Sequence, residues 1–262
     1  MRNLEAIQLY LNSGHQQVTG WFYPADMLLF AYLGEIQEEC GFFGHLCEVG
    51  VHHGKSLALL SLMSAPEEQV FGFDLFLEDC RERTLQTLIN NCGREDVAVL
   101  VKKDSLECTP DFLRTVVPGR IRFLHVDAGH EFHEALADLK NFGSLLAPTG
   151  IIAIDDYYDR AYPGVAAAAH AFMEHGGSAG FVPFVIGQNK IYLCNPALAG
   201  HYQRRLIAKP PFLRDLRLQH MYDYPVLIPF AGKQALDAET IWLMLDAWDC
   251  RTATAATNFM KT

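Results

Sequence analysis

From residue 45 onward, short apolar runs alternate with stretches of helical periodicity. The runs at 45–49, 69–73, 97–101, 121–126, 150–154 and 181–186 are flanked by Gly, Pro or acidic residues and predict strands. Between them, 55–64, 79–92, 110–117, 131–146 and 163–175 carry helical spacing. Strands alternating with helices imply right-handed crossovers and a parallel α/β sheet. One place breaks the rhythm. VPFVIG and KIYLCN are two strands joined by a tight turn at Gly187, Gln188 and Asn189, which predicts an antiparallel hairpin.

The flanks extend this picture. Residues 3–12 and 25–39 read as helices, with Pro24 at the start of the second. Trp21, Phe22 and Tyr23 lie between them and are expected to pack as core rather than as a substrate wall. Beyond 196, residues 197–208 read as a helix, 209–230 as a packed extension, and TIWLMLDAW at 240–248 as a short apolar helix. The expected organisation is an N-terminal helical lid or dimerisation segment (1–40), a central domain (41–196) and a C-terminal extension (197–262).

Composition narrows the class. Half of the 262 residues are hydrophobic, enough for a sizeable core, yet no apolar run approaches the roughly 20 residues of a membrane span. The N-terminus is amphipathic and unlike a signal peptide. A formal charge of −10 with no basic cluster argues against nucleic acid as a partner. Seven cysteines without a C-x-x-C pair read as reduced thiols, with Cys47 and Cys194 in the core, and imply a cytoplasmic protein. Apolar content at both ends of a chain longer than its central domain predicts a homo-oligomer.

The candidate chemistry begins at Cys47–Ser56, CEVGVHHGKS, which reads as strand end, tight turn and helix start. The phosphate-binding P-loop is excluded, because Val49 stands where its first Gly belongs. The dinucleotide fingerprint is excluded by His52. What remains is E-x-G-x-x-x-G-x-S. Gly50 and Gly54 allow close backbone approach to a ligand, and Glu48 suits a cationic or hydroxyl-bearing one.

Acidic residues also close the strands: Glu48, Asp74, Asp104, Asp127 and the pair Asp155–Asp156. A helix cap accounts equally well for Asp104. Asp127, Asp155 and Asp156 end strands expected to be neighbours, with no Lys or Arg beside them in sequence. Such carboxylates repel one another, and a hard divalent cation with oxygen ligands would relieve this.

On E-V-G-V-H-H-G-K-S at 48–56, F-D at 73–74, D-S at 104–105, V-D-A-G-H at 126–130 and I-D-D-Y-Y at 154–158, the chain resembles the class I S-adenosylmethionine-dependent methyltransferases. Within them it is similar to the metal-dependent O-methyltransferases of macrolide-sugar and aminocoumarin-sugar pathways and to the cephalosporin-biosynthesis group. The likeness spans roughly residues 20–195, with Ala128 standing where Gly is usual.

The resemblance implies a Rossmann-like fold, with a mostly parallel seven-stranded sheet ending in an antiparallel hairpin strand. It implies S-adenosyl-L-methionine held by Glu48, Gly50, Gly54, Ser56, Asp74, Asp104 and Ser105, with Glu48 near the cofactor's amino group and Asp74 on the ribose. It implies Mg²⁺, or Mn²⁺ or Ca²⁺, held by Asp127, Asp155 and Asp156, and His130 as general base. A helix-start histidine bound to a nearby carboxylate is the plainer account of His130. His52 and His53 are expected at the cofactor rim or in a structural role. Tyr157, Tyr158 and Tyr162 are candidates for the acceptor pocket. The implied reaction is methyl transfer to a hydroxyl of a sugar or polyhydroxylated natural product. A catechol-like phenol, a nicotinamide-dependent oxidoreductase and a non-catalytic partner protein remain as alternatives.

Overall fold

The structure is a computed structural model that describes residues 3–175, 180–209 and 216–229. The helix expected at 240–248 lies outside the described residues. The elements in chain order are α1 (Leu4–Asn12), α2 (Pro24–Glu39), β1 (His45–Val49), α3 (Lys55–Met63), β2 (Val70–Asp74), α4 (Cys80–Cys92), β3 (Ala98–Lys102), α5 (Pro110–Val116) and β4 (Ile121–Val126). They continue with α6 (Phe132–Gly143), β5 (Leu146–Ile154), α7 (Pro163–His175), β6 (Val182–Ile186), β7 (Ile191–Cys194), α8 (Pro196–Ile207), β8 (Arg217–Met221) and β9 (Tyr224–Ile228).

The strands form one sheet in the order β3-β2-β1-β4-β5-β7-β6-β9-β8. From β3 to β5 all pairings are parallel, and β7 is antiparallel to both β5 and β6. The seven expected strands are therefore present as a mostly parallel sheet with a reversed hairpin strand. A second hairpin, β8–β9, continues it beyond β6.

Alternation along each strand feeds two apolar layers. Leu46, Phe123, Ile151 and Tyr192 face a core shared with α1, α2, α3 and α8. Cys47, Val49, Leu124, Val126 and Ile152 face a second core with α5, α6 and α7. Cys47 and Cys194 are fully buried, and the six described cysteines are all free thiols. Among the described residues no helix is long and apolar enough to cross a membrane.

The polar residues inside the first core are tied together. Arg122 and Glu68 pair at 2.6 Å with both side chains nearly inaccessible, and Arg122 also donates to Gln37 Oε1 at 2.7 Å. Such a pair stays buried only because each of its hydrogen-bonding groups finds a partner.

The order of crossings reverses between β1 and β4: the chain runs outward to β3 on one side and outward from β4 on the other. In open α/β sheets a crevice opens at such a switch point, outside the carboxyl ends of the strands. Gly50 and Asp127 follow those two strand ends directly.

Candidate functional site

The turn after β1 is shaped by its neighbours. Gly50 has φ +87°, and a Cβ there would lie 1.8 Å from the carbonyl oxygen of Asp127. Glycine is therefore required by both conformation and contact. Asp74, at the end of β2, clamps the turn. Its Oδ2 accepts from the amides of Val51 (2.7 Å) and His52 (2.9 Å), and its Oδ1 accepts from Phe76 N at 2.6 Å. Oδ1 keeps a further lone pair, so holding the turn does not exclude a ligand hydroxyl. Gly54, at φ +79°, then releases the chain into α3.

Two clefts open on this edge. One, of about 390 Å³, is lined by Gly50, Asp74, Asp104, Ser105, Asp127, Ala128 and Gly129 among others. Asp104 caps the following turn by accepting from Leu106 N at 3.0 Å, so the capping account holds for it, and it also lines the cleft. Asp138 is buried beside Ser105, and burial pushes its carboxyl up to about 7. Ala128 is accommodated, half-buried against the second core.

The second cleft, of about 430 Å³, is lined by Trp21, Phe22, Tyr23, Ser56, Asp127, His130, Asp155, Asp156, Tyr162 and Asn189 among others. Gly50, His52 and Asp127 belong to both clefts, which therefore meet over the switch point. Ser56 lies on this side rather than beside Asp74 and Ser105.

Several expected positions are corrected here. Trp21 is 88% exposed and Tyr23 43%, so of the three aromatics only Phe22 is core, yet all three form cleft wall. Tyr162 lines the cleft, whereas Tyr157 is buried against His170 (3.1 Å) and Tyr158 is exposed and lines neither cleft. Glu48 lies beneath the turn, fully buried, lining neither cleft. Its Oε1 is 2.6 Å from His125 Nδ1, and its Oε2 has no partner among the described residues.

The carboxylates are not without a cation. Lys190, from the β6–β7 turn, is 1% exposed and forms an ion pair with Asp155 Oδ2. It is remote in sequence but one strand away in space. Its Nζ also lies 2.9 Å from His125 Nε2. An ammonium only donates, so Nε2 is the acceptor and the imidazole proton sits on Nδ1, directed at Glu48. Burial works against the Asp155 carboxylate, but Lys190 outweighs it and holds the group down to about 2. Asp127 is different. Burial first, then Asp155, push it well above the usual carboxylate range, and no side chain among the described residues donates to it.

Asp156 adopts φ +54°, a left-handed conformation that Asp tolerates better than most residues. Its Oδ1 accepts from Asn189 Nδ2 at 2.9 Å, and its Oδ2 lies 2.9 Å from His130 Nε2. The His130 ring stacks on Tyr162 with centroids 4.0 Å apart. The histidine is thus held by a carboxylate on one side and an aromatic face on the other, with its edge at the cleft.

Ligand atoms of Asp127, His130 and Asp156 all lie within 4.8 Å of one another, as do those of His125, Asp127 and Asp155. The first group suits a hard cation. In the second, both His125 nitrogens are already engaged. His52, His53 and Cys80 form a third group, but the two rings stack at 3.8 Å and 25°, so both cannot aim a lone pair at one ion.

Sequence reasoning missed Lys190, His125 and Asn189. A usable signal was present: a charged or polar residue inside an otherwise apolar strand, as in IRFLHV and KIYLC, must find a buried partner.

Residues 47–157, from β1 to the turn after β5, match the family described as a methyltransferase domain. The apo structure of CalS11, a TDP-rhamnose 3′-O-methyltransferase of calicheamicin biosynthesis, is 17% identical over 74% of this chain and 91% of its own, with a TM-score of 0.51. Cofactor-bound Rv0187 from MTB is 19% identical over 74% and 88%, also at 0.51. The S-adenosylhomocysteine-bound methyltransferase PaMTH1 of Podospora anserina is 12% identical over 73% and 88%, at 0.51. These likenesses establish the fold. No curated protein matches the chain by sequence.

Proposed function

We propose that the chain is a divalent-metal-dependent O-methyltransferase that transfers the methyl group of S-adenosylmethionine to a hydroxyl of a sugar or polyhydroxylated natural product. The observation that carries this reading is the meeting of two clefts over Asp127 at the switch point. The side holding Asp74, Asp104 and Ser105 has the carboxylates for a ribose diol and open space beside backbone for an adenine. The Trp21–Tyr162 side has exposed aromatic faces with carboxylates and an amide between them, a combination suited to a sugar's apolar and hydroxyl faces.

The cofactor supplies a methyl group already activated on a sulfonium. A divalent ion beside Asp127 and Asp156 would supply charge that lowers the pKa of an acceptor hydroxyl. The chain's own residues do the rest. His130, whose Nε2–H is directed at Asp156 Oδ2 2.9 Å away, takes the hydroxyl proton on its other ring nitrogen, Nδ1. Gly50 lets the backbone come close enough to align the acceptor oxygen, methyl carbon and sulfur. The oxygen gains the methyl as the carbon–sulfur bond breaks. Trp21 and Tyr23 cover the cleft from the N-terminal segment.

The reading is tested by following S-adenosylhomocysteine release across a library of sugars, nucleotide-linked sugars and polyols. Release with at least one of them, abolished by EDTA and restored by Mg²⁺ or Mn²⁺, is expected. Undiminished transfer by metal-stripped protein would refute the metal requirement.

A further inference from the structure

We propose that Lys190 is the resident cation of Asp155, so that a divalent ion in this cleft is held by Asp127 and Asp156, beside His130, and not by Asp155. The inference rests on the metal-dependent reading above and revises which carboxylates serve it.

Both oxygens of Asp155 already have partners, and one of those partners is a buried cation. Its Oδ1 accepts from Asp156 N at 2.8 Å and from Asn189 Nδ2 at 3.1 Å, and its Oδ2 is paired with Lys190. The lysine is itself fixed. Its Nζ meets His125 Nε2 at 2.9 Å, His125 Nδ1 meets Glu48 Oε1 at 2.6 Å, and the Phe22 ring lies 5.1 Å from the ammonium. Glu48, His125, Asp155 and Lys190 come from β1, β4, β5 and β7 or the residues next to them, which are consecutive strands of the sheet. The line runs on the face covered by α2, and none of its members is more than 9% exposed.

Swinging Lys190 aside would strand a buried carboxylate and leave His125 Nε2 without its donor, which is a large penalty. An ion reaching Asp155 would instead sit beside an immobile ammonium in a water-poor site, where like charges repel strongly. Asp127 has no side-chain hydrogen bond or ion pair among the described residues, and Lys190 reaches it only through space. Asp156, whose backbone is left-handed, meets His130 Nε2 with its Oδ2 and Asn189 with its Oδ1. Two carboxylates plus water are a sufficient set for Mg²⁺ or Mn²⁺.

The test is Mn²⁺ binding, read by the electron paramagnetic resonance of the free ion, in the full-length protein and its variants. Asp155→Asn should change the dissociation constant by less than about threefold, whereas Asp127→Asn and Asp156→Asn should weaken binding by more than about tenfold. Lys190→Met frees Asp155 and removes the repelling charge. It should tighten Mn²⁺ by about tenfold, and the gain should vanish in Lys190→Met/Asp155→Asn. Thermal shift with S-adenosylhomocysteine checks folding of each variant. If Lys190→Met does not fold, the comparison of Asp155→Asn with Asp127→Asn decides alone. Equal losses in those two would overturn the inference while leaving the metal reading intact. Absence of Mn²⁺ binding by the unaltered protein at millimolar concentration would overturn both.

Discussion

Replacing Gly50 by alanine is expected to abolish cofactor binding and to destabilise the fold by at least roughly 2 kcal/mol. Two causes add. The residue sits at φ +87°, where an L side chain is strained. The new methyl would also fall 1.8 Å from the Asp127 carbonyl oxygen and 2.4 Å from its carbonyl carbon, both backbone atoms that cannot rotate away. Relief requires β1 and β4 to part at the point where the clefts join. Gly54→Ala is the control: its Cβ would meet the Thr84 Cγ2 side-chain atom at 3.0 Å, a softer contact, and should disturb less. Urea unfolding and titration with S-adenosylhomocysteine measure both effects. A Gly50→Ala protein of ordinary stability and affinity would show that the turn is not the cofactor cradle.

His130→Ala is expected to lower kcat by roughly 10²–10⁴-fold with little change in cofactor affinity. The geometry motivates this through the Asp156 contact at 2.9 Å and the Tyr162 stack, which together fix the ring at the cleft edge. Tyr162→Ala should do less, because it removes the stack but keeps the Asp156 contact. If His130 only braces Asp156, kcat for His130→Ala should stay within about threefold of the unaltered enzyme, while Mn²⁺ affinity falls. The two roles thus separate in different measurements.

Much of the candidate site edge was legible because it is built from chain-local rules. A carboxylate at the end of each apolar run must emerge on one side of a parallel sheet, and the glycine turn between β1 and α3 must face it. Those rules alone place Asp74, Asp104, Asp127, Asp155 and Asp156 on that edge. They were silent on Lys190, because its contact with Asp155 depends on β7 inserting between β5 and β6, a matter of sheet order rather than of local sequence. They also misplaced Glu48, since neighbouring strand positions face opposite cores and only the register with β4 reveals His125 opposite it. The β8–β9 hairpin was hidden for another reason. Its turn uses Tyr222 at φ +53° in place of Gly or Asn, Pro225 interrupts the second strand, and only Leu218 of β8 is buried. None of the usual hairpin signals is therefore present.

The central claim is that the cofactor and the acceptor occupy different clefts that meet at Asp127. A crystal structure of the protein with S-adenosylhomocysteine tests it most directly. The account predicts the adenosyl group between Asp74 and Ser105, the ribose hydroxyls on the Asp74 carboxylate, and the sulfur directed past Gly50 toward Asp127. The Trp21–Tyr162 cleft should stay open to an acceptor. Electron density for the nucleoside among Trp21, Tyr23 and Tyr162 instead would contradict the account.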